Sequence, residues 1–427
     1  MVNQGNMKEK LYLVTIWLFC VVGTATAQKY VALTYKDYLQ QVCDRNLEYA
    51  AEKLNLNVAE AQIQAARIFN DPQLSVEYSD NQERKLKMGY GVSVELSKTV
   101  SLGKRSAAIG LAKKEGELSE ALLSDYFRNL RADATLAYLE ALKQHRLYQV
   151  KENAYQSVKK LAEGDSIRFA FGKIREVDAI QSKLEAGILY NELKQAETEL
   201  HNVFANLSLM TGTFSPDTLY IPESSWEKPS RRFELHQLME EAVSSRTDLL
   251  VAQKTVEVAQ KEMLVTRRER NTDVDLALGV SKNARVRNEE APAPPFTGVT
   301  ASVGIPLKFS NLYKGDIRAA RIKVQQSEMQ YQQARLQIQN EVMQAYRHYL
   351  SLENQVNAYE DGLLKQAGQV IEGKIYSYNR GETSLLEVLD AQRTYDEVRS
   401  LYIETLFGFS ASLIELERNA GIWDIRL

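Results

Sequence analysis

The placement of proline constrains this 427-residue chain more than any other feature. All eight prolines fall in a few places: Pro72; Pro216, Pro222 and Pro229; Pro292, Pro294 and Pro295; and Pro306. A proline inside a helix removes a hydrogen bond and costs about 3 kcal/mol, so long helices are confined to proline-free stretches. The two longest such stretches run from Gln73 to Ser215 and from Leu307 to the C-terminus. Both are rich in Ala, Leu, Glu, Gln, Lys and Arg, the strong helix formers.

Apolar spacing within these stretches is helical. Ala345, Tyr349, Leu352, Val356, Tyr359 and Leu363 alternate steps of four and three, a heptad seam, and Leu147, Val150, Ala154, Val158 and Leu161 form a similar one. A helix from Lys104 to about Glu163 spans roughly 60 residues and about 90 Å. Helices of globular domains average about 11–12 residues. The spacing therefore predicts a mainly α fold of long coiled-coil hairpins.

A small β part interrupts them, where the period switches to two. Leu74, Val76 and Tyr78 alternate with Ser75 and Glu77, and Val92, Val94 and Leu96 with Ser93 and Glu95. Later, Val274, Leu276, Leu278 and Val280 alternate with Asp273, Asp275, Ala277 and Gly279, and Val299 to Leu307 repeats the pattern. One aliphatic face and one polar face, over about 9–11 residues, suit a transmembrane β-barrel with an aqueous lumen. Glu77, Glu95, Asp273 and Asp275 then face that lumen. A soluble sandwich with one wet face is the alternative. Four strands do not close a barrel, and lipid tolerates no open sheet edge, so a membrane location requires several chains to pool their strands.

The front of the chain reads as an export signal. From Met7, the run MKEKLYLVTIWLFCVVGTATAQ has two lysines, an apolar stretch and an Ala-Thr-Ala end before Gln28, which marks residues 1–27 as a signal peptide starting at Met1 or Met7. Phe19 stands where a lipobox needs a small residue, so Cys20 is not read as a lipidation site. The mature chain then holds one cysteine, Cys43, read as a small buried residue, and forms no intrachain disulfide. No later apolar run reaches the ~18–20 residues of a membrane-spanning helix. A net charge of −3 with no basic tract gives no sign of nucleic-acid binding. His145, His201, His236 and His348 form no recognisable zinc motif, and no nucleophile elbow, P-loop or H-E-x-x-H is present. Neither an enzyme, a metal centre nor a cofactor is expected.

The two halves of the chain repeat. The run N-V-A-E-A-Q at 57–62 aligns with E-V-A-Q-K-E at 257–262, and Gly172 aligns with Gly381. Residues 28–210 make the first repeat, with strands at 71–100 and a helical tip at 164–178; residues 233–427 make the second, with strands at 272–310 and a tip at 373–387. Residues 211–232, rich in Pro and Ser, link them and carry a short strand near Leu219–Ile221.

The order of elements, the duplication and one turn signature resemble the TolC-like outer-membrane efflux proteins. Gly381, Ser384, Leu386, Glu387, Val388, Leu389, Asp390 and Ala391 carry the signature in the second repeat, and Gly172, Val177 and Asp178 a degraded form in the first. Residues 33–49 are similar to the family's opening helix. The resemblance implies a homotrimer in which each protomer gives four strands to one 12-stranded outer-membrane barrel. The helices then form an α-barrel tunnel across the periplasm, meeting a periplasmic adaptor and an inner-membrane pump. The chain would be the passive exit duct of a tripartite efflux system. A conduit for type I protein secretion and a soluble periplasmic coiled-coil adaptor are the rival readings, and a metal exporter finds no support in the histidines.

The same resemblance places Glu387 and Asp390 at the tunnel's periplasmic entrance, with Asp178 the first-repeat counterpart of Glu387. Threefold symmetry makes rings of such acids, which favour cations and repel one another as a pore narrows. Glu387 also fits a capping box, with Ser384 as N-cap; Asp390 lies beyond the first turn, where capping does not serve it, and a solvated surface charge is its bland reading. In some relatives a basic residue two positions after the second glycine locks the acid at the Asp178 position. Here that position is Thr383, which leaves Arg380 or Arg175 as substitutes. Tyr378 matches an aromatic of the family, or packs in the coil.

Overall fold

The computed structural model describes residues 29–80, 87–213, 218–223, 226, 228, 231–307 and 312–425. The expected signal peptide lies outside them, as do parts of the 211–232 linker and the end of the fourth strand region at 308–310. Strand β1 (Lys29–Thr34) leads into helices α1 (Tyr35–Arg45) and α2 (Leu47–Ala66), then strands β2 (Gln73–Asp80) and β3 (Tyr90–Val100). Helices α3 (Lys104–Ala170) and α4 (Glu176–Met210) form the first long hairpin, and β4 (Thr218–Glu223) follows. The second half runs α5 (Leu235–Ser245), α6 (Thr247–Arg268), β5 (Val274–Asn283), β6 (Phe296–Gly304) and α7 (Lys314–Ala358). A π-turn at Tyr359–Leu363 joins α7 to α8 (Leu364–Arg380), and α9 (Leu385–Ala420) completes the second hairpin.

Helix α3 has 67 residues and runs past the Glu163 expected from the sequence. The β part is an open antiparallel sheet in the order β2-β3-β5-β6. Its register lines up Val76, Val94, Val280 and Val299 in one row and Leu74, Leu96, Leu278 and Ala301 in the next. The opposite face aligns Ser75, Glu95, Gly279 and Thr300, and Glu77, Ser93, Ser281 and Gly298. Side chains alternate between faces, so the register collects every aliphatic residue of these rows on one side. Strand β6 stops at Gly304, leaving Ile305 and Leu307 outside the ladder.

A second, two-stranded sheet pairs β1 with β4 in parallel. Periodicity gave no sign of β1, which is a single short strand that pairs only across a long separation. Tyr138 of α3 holds the pair: its hydroxyl lies 2.8 Å from the Leu33 carbonyl oxygen and 3.2 Å from that of Glu223. Tyr38, Tyr138, Tyr349, Phe409 and Leu207 fill the core around it, all fully buried. Trp226 of the linker is buried there too, donating from its indole N–H to Ser410 Oγ at 3.0 Å, with the Arg146 guanidinium stacked on its ring. Cys43 is half-buried rather than enclosed.

A smaller core lies toward the hairpin tips, built from Ala154, Val158, Leu189, Ile371, Leu385, Val388 and Leu389. The α3 seam passes through it as the heptad pattern predicts. The α7–α8 seam does not: Leu363 is exposed, and Ala367 and Ile371 take the buried positions. The π-turn adds one residue to a turn, which rotates the following helix by about 100° and carries Leu363 out of the seam.

Candidate pore aperture at the hairpin tips

Both tips are closed by the same backbone device. Helix α3 ends with the Gly172 N–H donating to the Phe169 carbonyl and the Lys173 N–H to Arg168, and α8 ends with Gly381 donating to Tyr378 and Glu382 to Ser377. These are Schellman pairs, which need a left-handed residue, and Gly172 (φ +68) and Gly381 (φ +77) supply it.

The helix starts beyond the glycines differ. Ser384 caps α9, its hydroxyl accepting from the Glu387 N–H at 3.4 Å and donating to the Glu387 carboxylate at 3.2 Å. Glu387 does not reach back to the backbone of Ser384 as a reciprocal capping box expects; it turns across the hairpin to Lys374 Nζ, 2.5 Å away. That ammonium holds the exposed Glu387 carboxyl well below its usual range, at about 2. Arg175 begins α4 without a side-chain cap and instead grips Asp178 through two bonds of 3.0 and 2.8 Å, which lowers the Asp178 pKa. Arg380 pairs with Glu382 at 2.8 Å and lies against Tyr376. Within the chain, then, neither Arg175 nor Arg380 bridges the two tips through Asp178. Asp390 is exposed, and no hydrogen bond or ion pair ties it to another described residue.

What joins the tips is Tyr378. Its ring is buried, its hydroxyl donates to Asp165 Oδ1 at 2.8 Å, and the Arg168 guanidinium lies over its face. Asp165 is fully buried, 3.6 Å from Arg168, which also donates to Asn379 at 2.7 Å. A second link sits one turn deeper, where Arg393 of α9 donates from two nitrogens to Glu185 of α4 at 2.7–3.0 Å. Sequence analysis missed Asp165, Lys374, Glu185 and Arg393. One signal was available: continuing the α3 seam from Val158 by steps of four and three reaches Ala162 and then Asp165, a carboxylate on an apolar stripe.

At the far end, Glu77, Glu95 and Asp275 lie on the polar face of the sheet, with Asp275 accepting from Thr99 Oγ1 at 2.5 Å. Asp273 precedes β5 and is drawn into an ion pair with Lys104 at 2.7 Å, so it is not a free acid of that face. Among the described residues no group of three His, Cys, Asp or Glu is placed to hold a metal ion.

Comparison with known proteins agrees with this architecture. Residues 238–421 match the family model described as outer membrane efflux protein. The chain is 23% identical over 379 residues to the cobalt-zinc-cadmium resistance protein CzcC of Cupriavidus metallidurans, covering 88% of this chain and 86% of that one. It superposes on the solved structure of CusC with a TM-score of 0.74 at 18% identity, over 91% of this chain and 92% of that chain. It also superposes on the CmeC outer membrane channel of Campylobacter jejuni with a TM-score of 0.74 at 14% identity, over 90% and 86%. The chain is therefore similar to the outer membrane efflux proteins over residues 238–421 and shares its fold with solved outer-membrane channels along most of its length.

Proposed function

We propose that the protein is the outer-membrane exit duct of a tripartite efflux system, working as a homotrimer with a periplasmic adaptor and an inner-membrane pump. The observation that carries this is the open sheet: among the described residues β2 and β6 are both unpaired edges, while one face is aliphatic through its central rows. In lipid each unpaired backbone group costs several kcal/mol, so the edges must meet those of other copies. Three copies of four strands give twelve (3 × 4 = 12). The glutamates and Asp275 then line an acidic lumen, and the hairpins α3–α4 and α8–α9 extend the duct through the periplasm.

On this reading the two halves are one duplicated unit with two tips, and the aperture lies at the second. Glu387 is neutralised in part by Lys374, whereas Asp390 has no such partner, so Asp390 carries most of the ring charge that cations meet. Tyr378 with Asp165, and Arg393 with Glu185, hold the hairpins together in the closed arrangement. The duct moves its cargo passively; energy comes from the pump. The name of the CzcC relative makes divalent metal ions a candidate cargo, selected by the pump and not by a binding site here.

Purified protein in planar bilayers tests the proposal. It should migrate as a three-chain species after cross-linking and give cation-preferring channels. Recovery of the mature protein in the soluble periplasmic fraction rejects the duct in favour of an adaptor.

A further inference from the structure

The aliphatic face of the sheet is bordered by lysines. On β3, Lys98 stands level with Leu276 and Val303, and Val92 stands level with Lys282 of β5. The six steps from Val92 to Lys98 cover about 20 Å along the strand. That approaches the ~25 Å apolar band of outer-membrane barrels once each lysine extends away from it. Lys98 lies on the helical side of that band.

Beside it is a cleft of about 640 Å³, where the strands meet the helices, lined by Ile68, Phe69, Lys98, Val100 and Arg105 among others. Phe69 is 63% exposed and Ile68 67%, although each is a large apolar side chain next to two cations. The Arg105 guanidinium lies 3.6 Å from the Phe69 ring centroid and the Lys98 ammonium 5.6 Å. Arg105 is held in place from behind, donating from Nε and Nη2 to the Arg67 carbonyl at 2.9 and 2.5 Å. No carboxylate among the described residues pairs with Lys98 or Arg105, whereas the neighbouring Lys104 is satisfied by Asp273 and Glu269. The first turn of α3, which has no side-chain cap, opens on the same cleft. Two cations without a carboxylate partner, a helix start and two exposed apolar side chains, at one border of an apolar band, fit a molecule with an anionic head and a hydrocarbon body.

We propose that this cleft holds the head group of an anionic glycerophospholipid from the periplasmic leaflet. Lys98 and Arg105 take the phosphodiester, and Phe69, Ile68 and Val100 lie at the acyl boundary. The site rests on the outer-membrane reading above and goes beyond it, giving the duct a fixed depth in the bilayer.

Native mass spectrometry of the full-length protein in neutral detergent, with phosphatidylglycerol or phosphatidylcholine added, tests this. Wild type should retain phosphatidylglycerol in preference to phosphatidylcholine, and K98Q/R105Q should lose about thirty-fold in that affinity. K98R/R105K should keep it. K98Q alone removes an exposed side chain without a hydrogen bond, and should lose about five-fold even if the double variant fails to fold. Equal retention of the two lipids, adducts undiminished in both Gln variants, or displacement by millimolar inorganic phosphate overturns the lipid site. The same spectra count chains: a trimeric, conducting protein without a selective adduct rejects this site alone, whereas a monomer without conductance rejects the duct.

Discussion

The hydroxyl of Tyr378, near the end of α8, donates to Asp165, near the end of α3, across 2.8 Å and 213 positions of sequence. The bond couples the last turns of two different hairpins. Burial, then the neighbouring Asp165, pushes the phenol up to about 12.

Tyr378→Phe should leave the buried Asp165 with only the 3.6 Å contact to Arg168. Losing one partner of a buried hydrogen bond costs about 1–3 kcal/mol. We expect looser tips, read as a higher single-channel conductance than wild type in planar bilayers. The pH dependence has a definite sign. A tyrosine whose folded pKa is raised contributes stability that is intact below pH 10 and is lost as pH rises from there to about 12. The difference in stability between wild type and Y378F should shrink over that window, and a constant difference would contradict the bond.

Lys374→Gln should return Glu387 to ordinary carboxylate behaviour. In wild type the depressed pKa contributes stability above pH 4.5, lost as pH falls toward about 2. On the aperture reading, reversal potentials in salt gradients report the charge. With Asp390→Asn as background, the cation preference that Glu387 supplies should be weaker but persist toward about pH 2 when Lys374 is present, and be stronger but fade near pH 4.5 when it is not.

Asp390→Asn should change cation selectivity more than Glu387→Gln, because Glu387 already faces an ammonium at 2.5 Å and Asp390 faces none. The two variants compared at one salt concentration check this, and equal effects would remove the distinction.

Gly212→Ala should damage folding far more than Gly381→Ala, although both glycines have positive φ (+63 and +77). At Gly381 an added Cβ meets nothing within 4 Å, so the cost is the left-handed backbone alone, about 1–2 kcal/mol. At Gly212 it would lie 2.2 Å from the Arg45 carbonyl oxygen, a clash with backbone that has no rotamer to move. Yield of folded protein from membranes, and the midpoint of urea unfolding, should separate the two.

Much of the fold was legible because its causes are local. Proline marks where helices stop, a period of two marks β2, β3, β5 and β6, and a seam through Val150, Ala154 and Val158 marks the face α3 buries. Ser384 as a cap and Gly381 as a left-handed terminus follow from the chemistry of those two residues. The limits were equally physical. One inserted residue at Tyr359–Leu363 rotated Leu363 out of its seam, and a spacing rule has no means to anticipate a π-turn.

The sequence by itself determined the long helices, the four strands of the larger sheet and which strand face is aliphatic, because each depends on neighbours a few positions away, whereas β1 forms only by pairing with the distant β4. Only the tertiary structure decided the partners. Lys374 takes Glu387, Arg175 keeps Asp178 within its own tip, Lys104 draws Asp273 off the polar face, and Tyr378 finds Asp165. Each choice depends on how two separately formed elements lie against one another, and that relation is set by packing, not by any interval along the chain.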